Sequence, residues 1–197
     1  MDSRKGLIFA CMLLACAARP AAAGLVSIGL AGGTSVPVDK VSDAFDNGVT
    51  GQGFVKFNIP FIIKPRIDFT FQNMDINDPT VVAPDFTPGS YTGGTQEIFS
   101  GLAHAQFDII TAGPITPYLI VGVGMSSLNT SLDDASGEST SHSTTQATVD
   151  GGAGVAVKLG PLKAFLEGRV SNVMNNGELI DFDSVSTVPV TLGVVLF

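Results

Sequence analysis

The sequence predicts an all-β fold: an eight-stranded antiparallel up-and-down transmembrane β-barrel behind an N-terminal signal peptide. Three observations predict it. Residues 187–197 form an uncharged stretch rich in β-branched residues that ends on an aromatic, Phe197, with no polar tail; a tilted strand needs about 9–11 residues to cross a bilayer. Two-residue alternation of apolar and polar side chains recurs along the chain, with turn residues between the segments. The connections alternate short and long, as they do when an even number of strands closes with both ends on the short-turn side.

The first element is the export segment. Met1-Asp-Ser-Arg4-Lys5 is a charged start, 6–18 is a short apolar run, and Ala21-Ala22-Ala23 is a small-residue cleavage site. Residues 1–23 are therefore expected to be a signal peptide, used in Sec-type export, and 24–197 one barrel domain. The apolar run is too short to span as a helix. Leu13-Leu14-Ala15-Cys16 reads as an imperfect lipidation box, with Leu14 a poor fit, so cleavage near Ala23 is the better reading. Cleavage removes Cys11 and Cys16, the two cysteines of the chain, and with them any disulfide, thiol nucleophile or cysteine metal site. It also removes Arg4, Lys5, Arg19 and Asp2, which leaves seven bases against seventeen acids. Such a balance argues against nucleic acid, whose recognition needs basic clusters.

Strand one is placed at 25–34, rich in glycine. Strand two, 49–59, sets Val55, Phe57 and Ile59 against Gln52, Lys56 and Asn58. Strand three, 63–73, alternates most clearly: Ile63, Pro65, Ile67, Phe69 and Phe71 on one face, Lys64, Arg66, Asp68, Thr70 and Gln72 on the other. A helix would scatter these sets around its circumference, whereas a strand separates them. Strand four, 97–110, opposes Phe99, Ala103, Ala105, Phe107 and Ile109 to His104, Gln106 and Asp108. Strand five, 117–126, carries Leu119, Val121, Val123 and Met125 against Gly122 and Gly124. Strand six, 146–159, carries Val149, Ala153, Val155, Val157 and Leu159 against Asp150 and Lys158. Strand seven, 162–171, carries Leu162, Ala164, Leu166 and Val170 against Lys163, Glu167 and Arg169. The closing stretch is strand eight.

Short connections fall at 60–62, 111–116 and 160–161, and long ones at 35–48, 76–95, 129–145 and 172–186. The long loops hold twelve acids, counting Asp75 at the margin of its loop (Asp39, Asp43, Asp46, Asp75, Asp78, Asp85, Asp133, Asp134, Glu138, Glu178, Asp181, Asp183), and one base, Lys40. Five of the other bases, Lys56, Lys64, Arg66, Lys158 and Lys163, lie near short turns. The polar faces carry both signs in near balance, which suits an ion-paired interior, since a buried charge needs a partner. Lys56, Lys64, Arg66, Asp68, His104, Gln106, Asp108, Asp150, Lys158, Glu167 and Arg169 are expected to form that interior network. Eight strands leave room for side chains and no more, so the core is expected to be closed, without a pore. With no Trp and two Tyr, the aromatic girdles must come from the thirteen Phe.

At these residues the chain resembles the small outer-membrane β-barrel superfamily, the OmpA/OmpX-like and opacity-protein-like barrels. Gly29-Leu-Ala-Gly-Gly-Thr-Ser-Val-Pro37 before an acidic loop and Gly48 resembles that superfamily's first strand and loop. Pro117-Tyr118-Leu-Ile-Val-Gly122-Val-Gly124 resembles its fifth strand, and Val188-Pro189-Val-Thr-Leu-Gly193 with Phe197 its last. Val195 and Leu196 depart from its usual ending, an aromatic and a polar residue. The resemblance implies a cell outer-membrane protein and a monomer, with Phe197 as the terminal signal to the outer-membrane assembly machinery. Outer-membrane lipids and lipopolysaccharide are its expected partners. The superfamily is functionally diverse, so the resemblance bears on fold and location more than on activity; a non-enzymatic role is expected, in envelope structure or in surface contact through the long acidic loops.

Two other classes compete. A lipid A deacylase or acyltransferase would need a His, a Ser and an acid near the outer rim; His142, Ser143 and Glu138 supply the types, but 136–145 reads as a mobile loop, where rotamers are not held. A soluble or lipid-anchored lipocalin-like carrier would point Phe57, Ile67, Phe69, Phe71 and Phe107 inward around an apolar ligand, with acylation at Cys16. His104 is expected to fill the interior through hydrogen bonds. The loop acids match no calcium-loop spacing, and the strand glycines precede no helix that could cradle a phosphate. Neither a metal nor a cofactor is expected.

Overall fold

The computed structural model describes residues 24–38, 42, 45–76, 91–110, 113–134, 139–174 and 184–196. Eight strands follow one another: β1 (Val26–Pro37), β2 (Gly48–Phe57), β3 (Ile63–Ile76), β4 (Tyr91–Asp108), β5 (Ile115–Asp134), β6 (Ser139–Leu159), β7 (Leu162–Met174) and β8 (Ser184–Leu196). Each pairs antiparallel with the next, and β1 pairs with β8, from Ile28 opposite Leu196 to Pro37 opposite Thr187, closing the barrel. The 160–161 turn is tight: Gly160 takes φ +68°, as the first central residue of a type II′ hairpin does, and Pro161 fits the second with its fixed φ.

The two faces decide between the membrane and lipocalin readings. Phe69 is 54% exposed, and Ile67 and Phe71 are exposed with it, while Arg66 and Asp68 are 1% and 0% exposed. The same inversion runs round the wall, with Leu119, Val121, Val123, Leu166, Val170, Leu192 and Val194 outward. A water-soluble carrier cannot present such a surface; a membrane barrel must. On β5 the apolar outward run extends from Ile115 to Met125. Ten residue steps at about 3.4 Å, tilted about 40°, give roughly 26 Å, which matches the apolar band of an outer-membrane barrel. Val121→Arg, near mid-band, is therefore expected to cost about 2–4 kcal/mol in urea unfolding from lipid vesicles, and Ser131→Arg, above the band, about 0–1 kcal/mol.

The expected Phe girdle is partial. Phe71 and Phe99 are cross-strand neighbours at the upper edge of the band, and Phe57 and Phe61 are exposed near the short turns. Among the described residues β5–β8 present no outward Phe. The last strand turns Val190, Leu192, Val194 and Leu196 outward and buries Thr187, Thr191 and Val195. Phe197 and the 1–23 segment lie outside the described residues, as do most of the loop acids.

One expectation is corrected. Residues 129–145 are not a long loop: β5 runs to Asp134 and β6 starts at Ser139, paired from Ser127 opposite Thr145 to Asp133 opposite Ser139. The Ser- and Thr-rich composition suggested a loop, but threonine suits a pleated strand, and Leu128 and Leu132, both buried, fix the inward face. β4 likewise begins at Tyr91, earlier than expected.

The interior is layered. Nearest the short turns, Phe54, Tyr118, Ala156, Phe165 and Val195 form an apolar cluster, with Phe54 and Phe165 edge-on at 5.5 Å between centroids. Toward the long loops, Met74, Ile76, Ile98, Leu128, Leu132, Val173 and Val185 are buried. Between these lie the charges and a set of hydroxyl and amide pairs: Ser35 donates to Gln72 (2.5 Å), Ser126 lies 2.7 Å from Ser100 and 2.5 Å from Thr148, and Thr130 donates to Gln96 (2.7 Å).

Candidate functional site

The site is assembled by the two-residue period. On β3 it puts Arg66 and Asp68 on one face, and on the opposite wall it puts Glu167 and Arg169 of β7 on one face. Arg66 donates to Asp68 through Nε (2.8 Å) and Nη2 (2.8 Å). Its other edge crosses the lumen to Glu167, Nη1 to Oε2 at 2.7 Å and Nη2 to Oε1 at 3.1 Å. Arg169 reaches back, with Nη1 3.3 Å from Asp68 and 3.1 Å from Asp150. Two planar forks held between carboxylates give the strong, directional type of charge-assisted bond.

Uncharged groups complete the shell. Tyr118 donates to Glu167 (2.8 Å), Gln52 donates to Asp68 (2.8 Å) and Glu167 (3.2 Å), and Thr191 donates to Gln52 (3.2 Å). His104 Nε2 sits 2.6 Å from Asp150, whereas its Nδ1 makes no hydrogen bond among the described residues, the Asp68 carboxylate standing 3.4 Å away. Seven of the eight strands contribute to this network. β1 contributes space: a Cβ on Gly29 would run into the Phe54 ring, and that ring carries the Arg66 guanidinium at 3.6 Å, a cation–π contact. Gly122 and Gly154 likewise leave room for His104 and Tyr118.

The eleven residues expected in one interior network separate into groups. Arg66, Asp68, His104, Asp150, Glu167 and Arg169 come together in the network just described. Lys64, Gln106 and Asp108 form a second cluster at the short-turn mouth, where Lys64 pairs with Asp108 and Gln106 donates to Asp108 (2.7 Å). Lys56 is buried at that mouth and makes no hydrogen bond among the described residues. Lys158 is exposed there and joins no ion pair among the described residues. Gln52, Tyr118 and Thr191 are the members that sequence reasoning missed. Gln52 was visible on the polar face of strand two, and Tyr118 stands at an even-numbered, inward position of strand five.

The candidate catalytic set does not assemble. His142 and Ser143 are adjacent on β6, so their side chains leave opposite faces, and Glu138 lies outside the described residues. No group of three or more His, Cys, Asp or Glu among the described residues is arranged to hold a metal ion.

No protein-family model matches the chain, and no curated sequence matches it either. Solved structures do. Neisserial surface protein A matches with a TM-score of 0.59 at 18% identity, over 88% of this chain and 96% of that one. The attachment invasion locus protein Ail of Yersinia pestis matches with a TM-score of 0.50 at 14% identity, over 88% and 99%. The fold is that of the small eight-stranded outer-membrane barrels. With its apolar outer wall and polar interior, the chain is an integral outer-membrane β-barrel protein.

Proposed function

We propose that the protein is a non-enzymatic outer-membrane barrel with a closed core, and that it makes surface contacts through its long-loop end. The observation that carries this reading is the length of β5 and β6, 20 and 21 residues, about twice what a bilayer requires. Strand invested beyond the membrane serves whatever lies outside it. The closed core is supported by Arg66 and Glu167 meeting across the lumen between two apolar layers, and the acidic loops give the outer end its charge. The non-enzymatic reading is supported by His142 and Ser143 pointing apart. Lipopolysaccharide and neighbouring outer-membrane lipids are the proposed surroundings, and the barrel is proposed to act as a monomer recognised by the assembly machinery.

The test replaces residues 129–143 by a two-residue Asn-Gly turn between Leu128 and Thr144, which already face each other. The shortened barrel should still show heat-modifiable gel migration. Cells displaying the full chain should adhere to coated surfaces and cells displaying the shortened barrel should not, while uptake of a bulky antibiotic stays unchanged. Adhesion equal to that of the full chain would defeat the surface-contact reading. Ionic steps in planar bilayers would defeat the closed core, and altered acyl chains in lipid A would defeat the non-enzymatic role.

A further inference from the structure

The short connections of this barrel are apolar. Turns in water are built largely from Gly, Pro, Asn, Asp and Ser, yet Phe61 is 71% and Ile62 79% exposed, and Leu25, Ile109, Ile110 and Leu159 are exposed with them. These six side chains surround the end that faces the periplasm in an outer-membrane barrel.

Strand pairing sets their heights. The succession of partners Ile115, Val157, Ala164, Val194, Leu30, Gly53, Phe69 and Gly101 runs once round the wall and returns to β5 at Met125. One circuit thus climbs the ten residues from Ile115 to Met125, or about 1.25 residues per strand. With that climb removed, Leu25, Ile109 and Leu159 stand within about one residue, roughly 3 Å, of the level of Ile115. Phe61 and Ile62 immediately precede Ile63, itself about 1.5 residues above that level. The exposed residues therefore form one ring, in one plane, at the lower edge of the apolar band.

The turn backbone is the second observation. Each of the three short turns holds a proline, Pro60, Pro114 and Pro161, which has no N–H to satisfy. Of the neighbouring amides, Asn58 donates to the Leu25 carbonyl (2.7 Å), Phe61 to Ile59 (2.8 Å) and Ile109 to Pro117 (2.9 Å). Backbone whose donors are absent or paired within the protein tolerates surroundings poor in water.

We propose that this ring is a lipid-binding surface seated at the acyl–glycerol boundary of the periplasmic leaflet, so that phospholipid covers the short turns. The occupant follows from continuity, since Ile63, Ile109 and Ile115 carry the lipid-facing wall straight into the turns. A protein partner or a second copy would cover one side of the barrel, whereas a leaflet meets every side at one height. Leu, Ile and Phe also lack the polar handle that keeps Trp and Tyr at the headgroups, which sets the ring on the acyl side. The proposal rests on the membrane reading of the outer wall and adds where its lower end stops.

The chain has no tryptophan, so a single introduced one reports its own surroundings. Phe61→Trp and Ile110→Trp, in two different turns, are compared with Val121→Trp in mid-wall and Ser131→Trp above the band. Each folded barrel, checked by its heat-modifiable band, is placed in phosphatidylcholine vesicles brominated either near the headgroup or near the chain ends. Phe61→Trp and Ile110→Trp should emit to the blue of Ser131→Trp, lose most of their emission to the shallow bromines, and resist acrylamide added to the water. Acrylamide quenching equal to that of Ser131→Trp, without quenching by lipid, overturns the proposal. Lipid quenching that disappears as protein is raised against lipid assigns the ring to a second copy and overturns it as well. Val121→Trp escaping the deep bromines would instead defeat the membrane reading itself. Should one turn variant fail to fold, the other carries the same test.

Discussion

Arg66→Met should destabilise the barrel by about 3–5 kcal/mol, the cost of removing one partner from a buried ion pair. Arg66 makes four of the hydrogen bonds in the network, two to Asp68 and two to Glu167. Without it Asp68, Glu167 and Asp150 face Arg169 and His104 alone. The measurement is urea unfolding in lipid vesicles, read from the heat-modifiable fraction. Adding Glu167→Gln to Arg66→Met removes one of the carboxylates left behind and should recover at least about 1 kcal/mol, a coupling that contacting residues show and independent ones do not. Strictly additive losses would mean that the lumen is solvated at this level and that the pairs contribute little.

A pair of neighbouring glycines gives the second large effect. A Cβ on Gly152 would collide with the carbonyl of Gly168 and with Cα and Cγ of Arg169, whereas one on Gly151 meets nothing nearer than 3.7 Å. Backbone cannot give way as a side-chain tip can, and Arg169 is held by Asp68 and Asp150. Gly152→Val should therefore abolish the folded band on unheated gels. Gly151→Val, one residue away and turned to the lipid side, should fold as the parent does, since a β-branched residue suits an outward strand position. Equal behaviour of the two variants would contradict the inward and outward assignment of β6.

The faces were legible because a strand's period is two and both sets of residues on strand three are pure. Ile67, Phe69 and Phe71 against Arg66 and Asp68 left one choice, the direction of inversion, and the export segment and the apolar ending tipped it. Which charges meet was not legible. Partners such as Arg66 and Glu167 sit on opposite walls, and their height is set by strand tilt and stagger, which no local pattern records. That is why the eleven polar residues read as one network when Lys64, Gln106 and Asp108 stand apart at the mouth. Phe54 lies by count on the same face as Gln52 and Lys56, yet its role as the plate under Arg66 needed coordinates. The upper half of β5 and β6 was lost for a different reason. Above the bilayer neither face must be apolar, so the alternation that marks a strand inside the membrane fades to Ser and Thr.

The projecting part of the barrel is not a lone ribbon. β4 runs alongside it, with Gln96 opposite Thr130 and Gly94 opposite Leu132, so three strands climb together, enough for a sheet to hold its own shape. From Met125 to Asp134 the climb is nine residues, or roughly 23 Å at the same tilt. A free loop of that length would sweep through every height over the membrane. A stiff mast holds its tip at one altitude, so a visiting surface would meet this part of the molecule first and at a fixed stand-off.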